Sequence, residues 1–219
     1  MIVNERVTAY INSLDTGLTP LLMQLEMEAK ETFVPIIRKE TQNFLKLLLM
    51  VHQPAAILEV GTAIGFSSIL MAEYNPVSCE ITTIENYEKR IPIAKANIER
   101  AKLGNTIRIL EGDAGLILTE LTQTYDFIFM DAAKAQYIHF LPEVKRLLKE
   151  GGLLVSDNVL QEGDLVESRF AITRRNRSIH KRMREYLYAL THDREFVTTI
   201  LPLGDGVTVS VKKGNCGIE

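Results

Sequence analysis

A chain of 219 residues, 46% hydrophobic and 24% charged, carries enough apolar side chains for a sizeable α/β core and too many for a disordered or fibrous protein. Its formal charge of -3 excludes a protein whose overall field attracts polyanions, while leaving room for a local basic patch. Two cysteines far apart, Cys79 and Cys216, make no disulfide framework, and the opening MIVNERVTAY lacks the basic-then-apolar pattern of a secretory signal. No apolar run approaches the roughly 18 residues of a membrane span, so the expectation is a cytoplasmic protein with no membrane partner.

Three helices are expected first, over about 3–14, 19–32 and 36–51, the last with Leu45, Leu48 and Leu49 on an apolar stripe. They form a helical N-terminal extension, 1–54, within one domain spanning 1–219. From Ala55 short apolar runs alternate with longer amphipathic stretches. AAILEV precedes a helix from Gly65, EITTIE a helix over about 87–102, and TIRILEG a helix from Ala114. YDFIFMD then precedes a helix over about 136–149, followed by GGLLVSDNV. This alternation predicts an α/β, Rossmann-like fold with a mostly parallel sheet and helices on both faces. A polar loop follows Asn158, then a charged helix over about 172–192. REFVTTILPLGDGVTVSVKK reads as two strands about a Gly-Asp-Gly turn, an antiparallel hairpin completing seven strands.

Ligands of such sheets sit outside the carboxyl ends of the strands. The first strand runs into Glu59-Val60-Gly61-Thr62-Ala63-Ile64-Gly65, and a helix follows at once. Small residues at that bend admit close approach of a ligand, and the helix start offers unpaired N–H groups. A dinucleotide fingerprint needs Gly-x-Gly-x-x-Gly; here Ala63 replaces the second glycine and the third is missing at the expected spacing. A cofactor without a pyrophosphate fits better. Glu85 ends the second strand, where an acid accepts hydrogen bonds from ribose hydroxyls, and Asp113-Ala114 end the third, placed to border an adenine. Taken singly, each also fits a turn or a helix N-cap; together, at successive strand ends, they point to a nucleoside.

The fourth strand ends in Asp131-Ala132-Ala133-Lys134 and the fifth in Asp157-Asn158. Two carboxylates and an amide oxygen are hard ligands suited to Mg²⁺ or a similar cation. A cation there would acidify a bound hydroxyl, and Lys134 could take its proton if its surroundings lower its pKa. A simple turn at Asp157-Asn158 and a solvated helix start at Lys134 are the structural alternatives.

LEVGTAIGFSS, Glu85, GDA, DAAK and SDNV together resemble the cation-dependent class I O-methyltransferases, the family of catechol and caffeoyl-CoA O-methyltransferases, over nearly the whole chain. The resemblance implies S-adenosylmethionine as methyl donor, Asp131, Asp157 and Asn158 as metal ligands, Lys134 as general base, and a homodimer. It also implies cofactor contacts from Val34 in the FVPI segment, Gly61, Ser67, Glu85, Asp113, Ala114 and Asp131. One position departs from the animal catechol enzymes, which place a tryptophan before the lysine. This chain has no tryptophan, and Ala133 stands there, so a roomier mouth is expected.

After the second acidic motif come Arg169, Arg174, Arg175, Arg177, Lys181, Arg182 and Arg184. On a continuous helix Arg174, Arg177, Lys181 and Arg184 share one face, opposite Ile179, Met183, Leu187 and Leu190. Such a patch suits phosphate contacts, and it equally suits a solvated face. DAAKAQY, DNVLQEG, PLGDG and the arginine-rich segment resemble the bacterial tRNA 5-hydroxyuridine methyltransferases most closely. That likeness implies methylation of a wobble 5-hydroxyuridine to 5-methoxyuridine, with tRNA held by Arg174, Arg175, Arg177 and Lys181. A small catechol-like or hydroxycinnamoyl acceptor is the alternative. A non-catalytic RNA-binding protein is a third possibility, which the complete DxxK and DN set argues against.

Overall fold

The computed structural model describes residues 3–168 and 170–214; Arg169 and Cys216, singled out above, lie outside them. Three helices come first, α1 (Glu5–Ser13), α2 (Pro20–Glu31) and α3 (Lys39–His52). The alternating part runs β1 (Ala56–Val60), α4 (Phe66–Tyr74), β2 (Glu80–Glu85), α5 (Ile91–Arg100), β3 (Ile107–Glu111), α6 (Ala114–Glu120), β4 (Tyr125–Met130), α7 (Tyr137–Leu147) and β5 (Leu148–Ser156). A single 3₁₀ turn, Lys134–Gln136, leads into α7 and another, Gln161–Val166, follows β5; α8 (Arg177–His192), β6 (Phe196–Leu201) and β7 (Val207–Lys212) complete the described elements.

The seven strands lie in the order β3-β2-β1-β4-β5-β7-β6. The first five run parallel, and β7 is antiparallel to both of its neighbours. The expected fold is therefore the observed one, hairpin included. Alternation along the central strands sorts side chains to two cores. Leu58, Val60, Ile128, Met130 and Leu154 face α7 and α8, meeting Val144, Leu147, Met183, Tyr186 and Leu190. Ile57, Phe127, Phe129 and Val155 face the other way, against Leu22, Leu25, Leu45 and Leu49 of α2 and α3 and Ile69 and Leu70 of α4. Buried on both faces, β1 is apolar apart from Glu59, which is why it reads as a near-continuous run rather than an alternation.

Helices α2 and α3 thus belong to one covering layer of the sheet. Only α1 has the character of an extension: none of its residues is buried. It is tied on by polar contacts, with the Asn12 amide donating to Glu40 at 2.6 Å and Asp15, just beyond it, meeting Lys39 and Lys46 at 3.2 and 3.6 Å. Among the described residues no helix is long and apolar enough to cross a membrane.

The order places β1 at a switch point. The chain leaves β1 through α4 to β2 on one side, and returns after β3 to β4 on the other. A crevice therefore opens at the carboxyl ends of β1 and β4, the location where such sheets take ligands.

Candidate active site

The turn after β1 forms one wall. Gly61 has φ of +109°, and a Cβ built on it would stand 2.1 Å from the Asp131 carbonyl oxygen. Only glycine lets this turn lie against the end of β4. The N–H groups of Gly61 and Thr62 both donate to the Ile84 carbonyl, at 3.0 and 3.2 Å. One residue on, the Ala63 N–H donates to Glu85 Oε2 at 2.7 Å, while Oε1 accepts from the N–H groups of Asn86 and Tyr87 at 3.0 and 2.8 Å. Glu85 is thereby held at the end of β2 by backbone donors on both oxygens. Asp113 caps α6, its carboxylate accepting the Leu116 N–H at 3.1 Å, so the N-cap role open to it in the sequence is the one it plays.

These elements enclose a cavity of about 670 Å³, and its walls bring together Gly61, Ser67, Glu85, Asp113, Ala114, Asp131, Lys134, Asp157 and Asn158. Val34 is the exception among the expected cofactor residues. Its side chain packs against the core on the α2–α3 side, and it is the next four residues, Pro35 to Arg38, that line the cavity.

Glu59, which no strand-end pattern singled out, lies fully buried on β1 beneath this wall. Three hydroxyls converge on it: Ser67 and Thr83 donate at 2.5 Å each, and Ser68 donates to the same carboxylate. With the Thr83 proton given to Glu59, the 2.6 Å contact between Thr62 and Thr83 is donated by Thr62. Burial pushes the Glu59 carboxyl up to about 7, against the pull of these donors and with Asp131 adding to the rise.

The acidic end is built by the parallel ladder running one residue past its strands. Asp131 N–H donates to the Val60 carbonyl at 3.0 Å and Asp157 N–H to the Met130 carbonyl at 2.9 Å, so consecutive strands present their carboxylates side by side. Asn158, at φ of +62°, turns back: its N–H donates to Asp157 Oδ1 at 2.8 Å and its amide nitrogen to Asp131 Oδ1 at 2.7 Å. Burial raises the Asp131 carboxyl, opposed by Asn158 and Lys134. Asp157 is pushed up to about 7, by burial first, then by Asp131 and Asp205, with Lys134 pulling the other way. Among the described residues no three His, Cys, Asp or Glu side chains form a metal cage; two carboxylates and an amide are what this end offers a hard cation. Asp205 and Arg38 also line the cavity and pair at 2.9 Å. In the sequence Asp205 looked like a turn residue, and nothing marked Arg38.

The basic segment departs from expectation. The helix begins at Arg177, not near 172, and Arg174 and Arg175 lie exposed in the turn before it. The cause is tertiary. Ile172 is buried, the Asn176 N–H closes a turn on Thr173 at 2.9 Å, and Arg177 Nε donates to the Ile172 carbonyl at 3.2 Å. Arg174 therefore shares no helical face with Lys181 and Arg184. Lys181 meets Glu185 at 3.6 Å, and Arg182 donates to the Ala135 carbonyl at 3.4 Å. The opposing apolar stripe holds, with Met183, Leu187 and Leu190 buried and Ile179 half-buried.

Two outcomes follow. Gly61→Ala is expected to destabilise the protein by at least about 1–3 kcal/mol in denaturant unfolding, since the added methyl must displace the backbone at Asp131. The raised carboxyls give a signed pH dependence. The folded, cation-free protein keeps protons on Glu59 and Asp157 up to about 7, whereas the unfolded chain sheds them near pH 4 to 4.5, so their contribution is full at low pH and is lost as pH climbs towards 7. Melting of the chelator-treated protein between about pH 5 and 8 should show Asp157→Asn losing less stability over that interval than the parent.

Residues 13–213 match the family model described as O-methyltransferase. Catechol O-methyltransferase of Niastella koreensis is 33% identical over 169 residues, covering 74% of this chain and 76% of that protein. Caffeoyl-CoA O-methyltransferase 5 of Nicotiana tabacum is 34% identical over 178 residues, covering 76% and 72%. Among solved structures, a Staphylococcus aureus protein provisionally named a caffeoyl-CoA O-methyltransferase superposes with a TM-score of 0.82 at 32% identity, over 94% of this chain and 97% of that one. With the strand-end cavity and the family match in agreement, the chain belongs to the O-methyltransferase family.

Proposed function

We propose that this protein transfers the methyl group of S-adenosylmethionine to a hydroxyl of a small catechol-like or hydroxycinnamoyl acceptor, assisted by Mg²⁺ or a similar divalent cation. The observation that carries this is the meeting of Asp131, Asp157 and Asn158 in the cavity that also holds the Gly61 turn and Glu85. The donor set fits a hard cation. Two carboxylates, Asp157 buried and Asp131 half-buried, stand together with Asp157 pushed up to about 7, an arrangement that positive charge relieves. Turning the Asn158 amide end for end would replace the N–H now given to Asp131 by an oxygen.

A bound divalent cation supplies Lewis acidity that lowers the pKa of a hydroxyl beside it. The chain's own residues do the rest. Gly61 leaves room for the cofactor against the backbone, and Glu85, fixed by its backbone donors, faces the ribose. Ser67 and Asp131 border the methionine end, and Asp113 and Ala114 the adenine. Lys134 Nζ, in its unprotonated form, takes the hydroxyl proton as that oxygen attacks the methyl carbon and the carbon–sulfur bond breaks, its electron pair passing to sulfur. Catalysis is then mainly positioning and charge stabilisation, without a covalent enzyme intermediate.

The names of the relatives, catechol and caffeoyl-CoA O-methyltransferase, support a small acceptor. So does the engagement of Arg177, Lys181 and Arg182 with partners within the protein. A tRNA 5-hydroxyuridine is the second acceptor to test. Arg182 reaches the Ala135 carbonyl beside Lys134, so α8 abuts the cavity rim, and Arg174 and Arg175 are exposed just before it. A homodimer is part of the proposal, supported by Val7, Tyr10, Ile11 and Leu14 on the outer side of α1 and just after it.

Labelled S-adenosylmethionine with catechol, caffeoyl-CoA or hydroxyuridine-bearing tRNA decides the acceptor. Turnover is expected on the small phenols and to stop with a chelator. Asp157→Ala should lower it by more than the roughly 10–100-fold that outer-shell partners of a metal typically cost; full activity in chelator would remove the cation. Reversing both arginines, Arg174→Glu with Arg175→Glu, should leave phenol methylation unchanged. Methylation confined to tRNA, and lost in that double variant, would transfer the assignment to RNA.

A further inference from the structure

Tyr137, the first residue of α7, is fully buried and stands outside the cavity wall. Its hydroxyl accepts the Ala132 N–H at 3.2 Å and lies 3.1 Å from the carbonyl oxygens of both Met130 and Asp157. Met130 and Ala132 flank Asp131 in the chain, and the third contact is to the backbone of Asp157 itself. One oxygen atom therefore joins the backbones that carry the two carboxylates. A phenol has one proton, which the two carbonyls share. Burial first, then the charges of Asp131 and Asp157, hold the phenol well above its usual range, so the proton stays in place at neutral pH.

The ring is itself held. Tyr186 meets it edge-on, with centroids 5.4 Å apart at 82°, and the Tyr186 hydroxyl pairs with Ser156 Oγ at 2.6 Å. A group buried this way acts at fixed length, unlike a surface side chain.

We propose that Tyr137 is a positioning residue whose hydroxyl sets the spacing of Asp131 and Asp157, and through it the affinity of the site for a divalent cation. It rests on the assignment of those residues as cation ligands. Outer-shell groups that orient ligands in this way are typically worth 10–100-fold in metal affinity.

The test is Mn²⁺ binding by titration calorimetry on the chelator-stripped full chain, with Tyr137→Phe, Tyr186→Phe and Asp157→Ala compared with the parent. Tyr186→Phe removes a neighbouring buried hydroxyl and controls for loss of a buried hydrogen bond as such. Both Phe variants should melt earlier. Tyr137→Phe alone should bind Mn²⁺ about 10-fold or more weakly, keep its S-adenosylmethionine affinity, and regain turnover when Mn²⁺ is raised to saturation. Parent-like Mn²⁺ affinity in Tyr137→Phe, or equal weakening in both Phe variants, overturns the proposal. Binding that persists in Asp157→Ala overturns the cation assignment instead, and the proposal with it. Should Tyr137→Phe fail to fold, p-aminophenylalanine at position 137 keeps the ring and donors to both carbonyls. Near-parent Mn²⁺ affinity is then the expected result, and a 10-fold loss the contrary one.

Discussion

The contact between Gly61 and the Asp131 carbonyl governs much of the rest. With 2.1 Å between a would-be Cβ and that oxygen, the β1 turn and the β4 end touch backbone to backbone. Because the turn lies so close, its next N–H groups reach the Ile84 carbonyl and Glu85, and β2 is drawn into the same corner. The ladder then carries on beyond β4 to Asp157. The ends of β1, β2, β4 and β5 are thereby held in register, and the cavity is the space this leaves at the switch point.

That corner concentrates acid. Glu59, Asp131, Asp157 and Asp205 are all close enough for at least one to raise another, and the cost of burying charge is met differently for each. Glu59 is met by hydroxyls, which stabilise a carboxylate without adding charge. Asp205 is met by the Arg38 guanidinium. Asp131 and Asp157 have Asn158 and, at longer range, Lys134. They are the least compensated pair, and they face open cavity. A site that leaves two carboxylates under-compensated toward a cavity is prepared for an external positive charge, and both a divalent cation and a sulfonium supply one.

The parallel strands, the hairpin and the acids at strand ends were legible because each depends on local pattern: an apolar run, a turn residue, an acid at its end. Glu59 was hidden for the opposite reason. A single acid in AILEV looks like an outward-facing position, and its burial depends on Ser67, Ser68 and Thr83, which come from two other elements. Asp205 and Arg38 meet from opposite ends of the chain, beyond the reach of any spacing rule. Periodicity places the start of α8 too early because Arg174 continues a helical period that the buried Ile172 and its bond from Arg177 interrupt. Periodicity describes a helix once it exists; tertiary contacts decided where this one begins.

The acceptor end also bears on selectivity. Where a tryptophan would wall the mouth, Ala133 lies exposed among the cavity-lining residues, and the same cavity is bordered by the Arg38–Asp205 pair. Neither surface grips a flat ring by shape, and a small apolar contact discriminates by only about 1–3 kcal/mol in any case. A cation held by Asp131, Asp157 and Asn158 would discriminate differently, because an acceptor offering two adjacent oxygens can occupy two open positions and one offering a lone hydroxyl cannot. Chelation would then choose the reacting oxygen while the open mouth tolerates whatever is attached beyond it. A bulky coenzyme ester and a bare catechol would be acceptable to the same site for that reason.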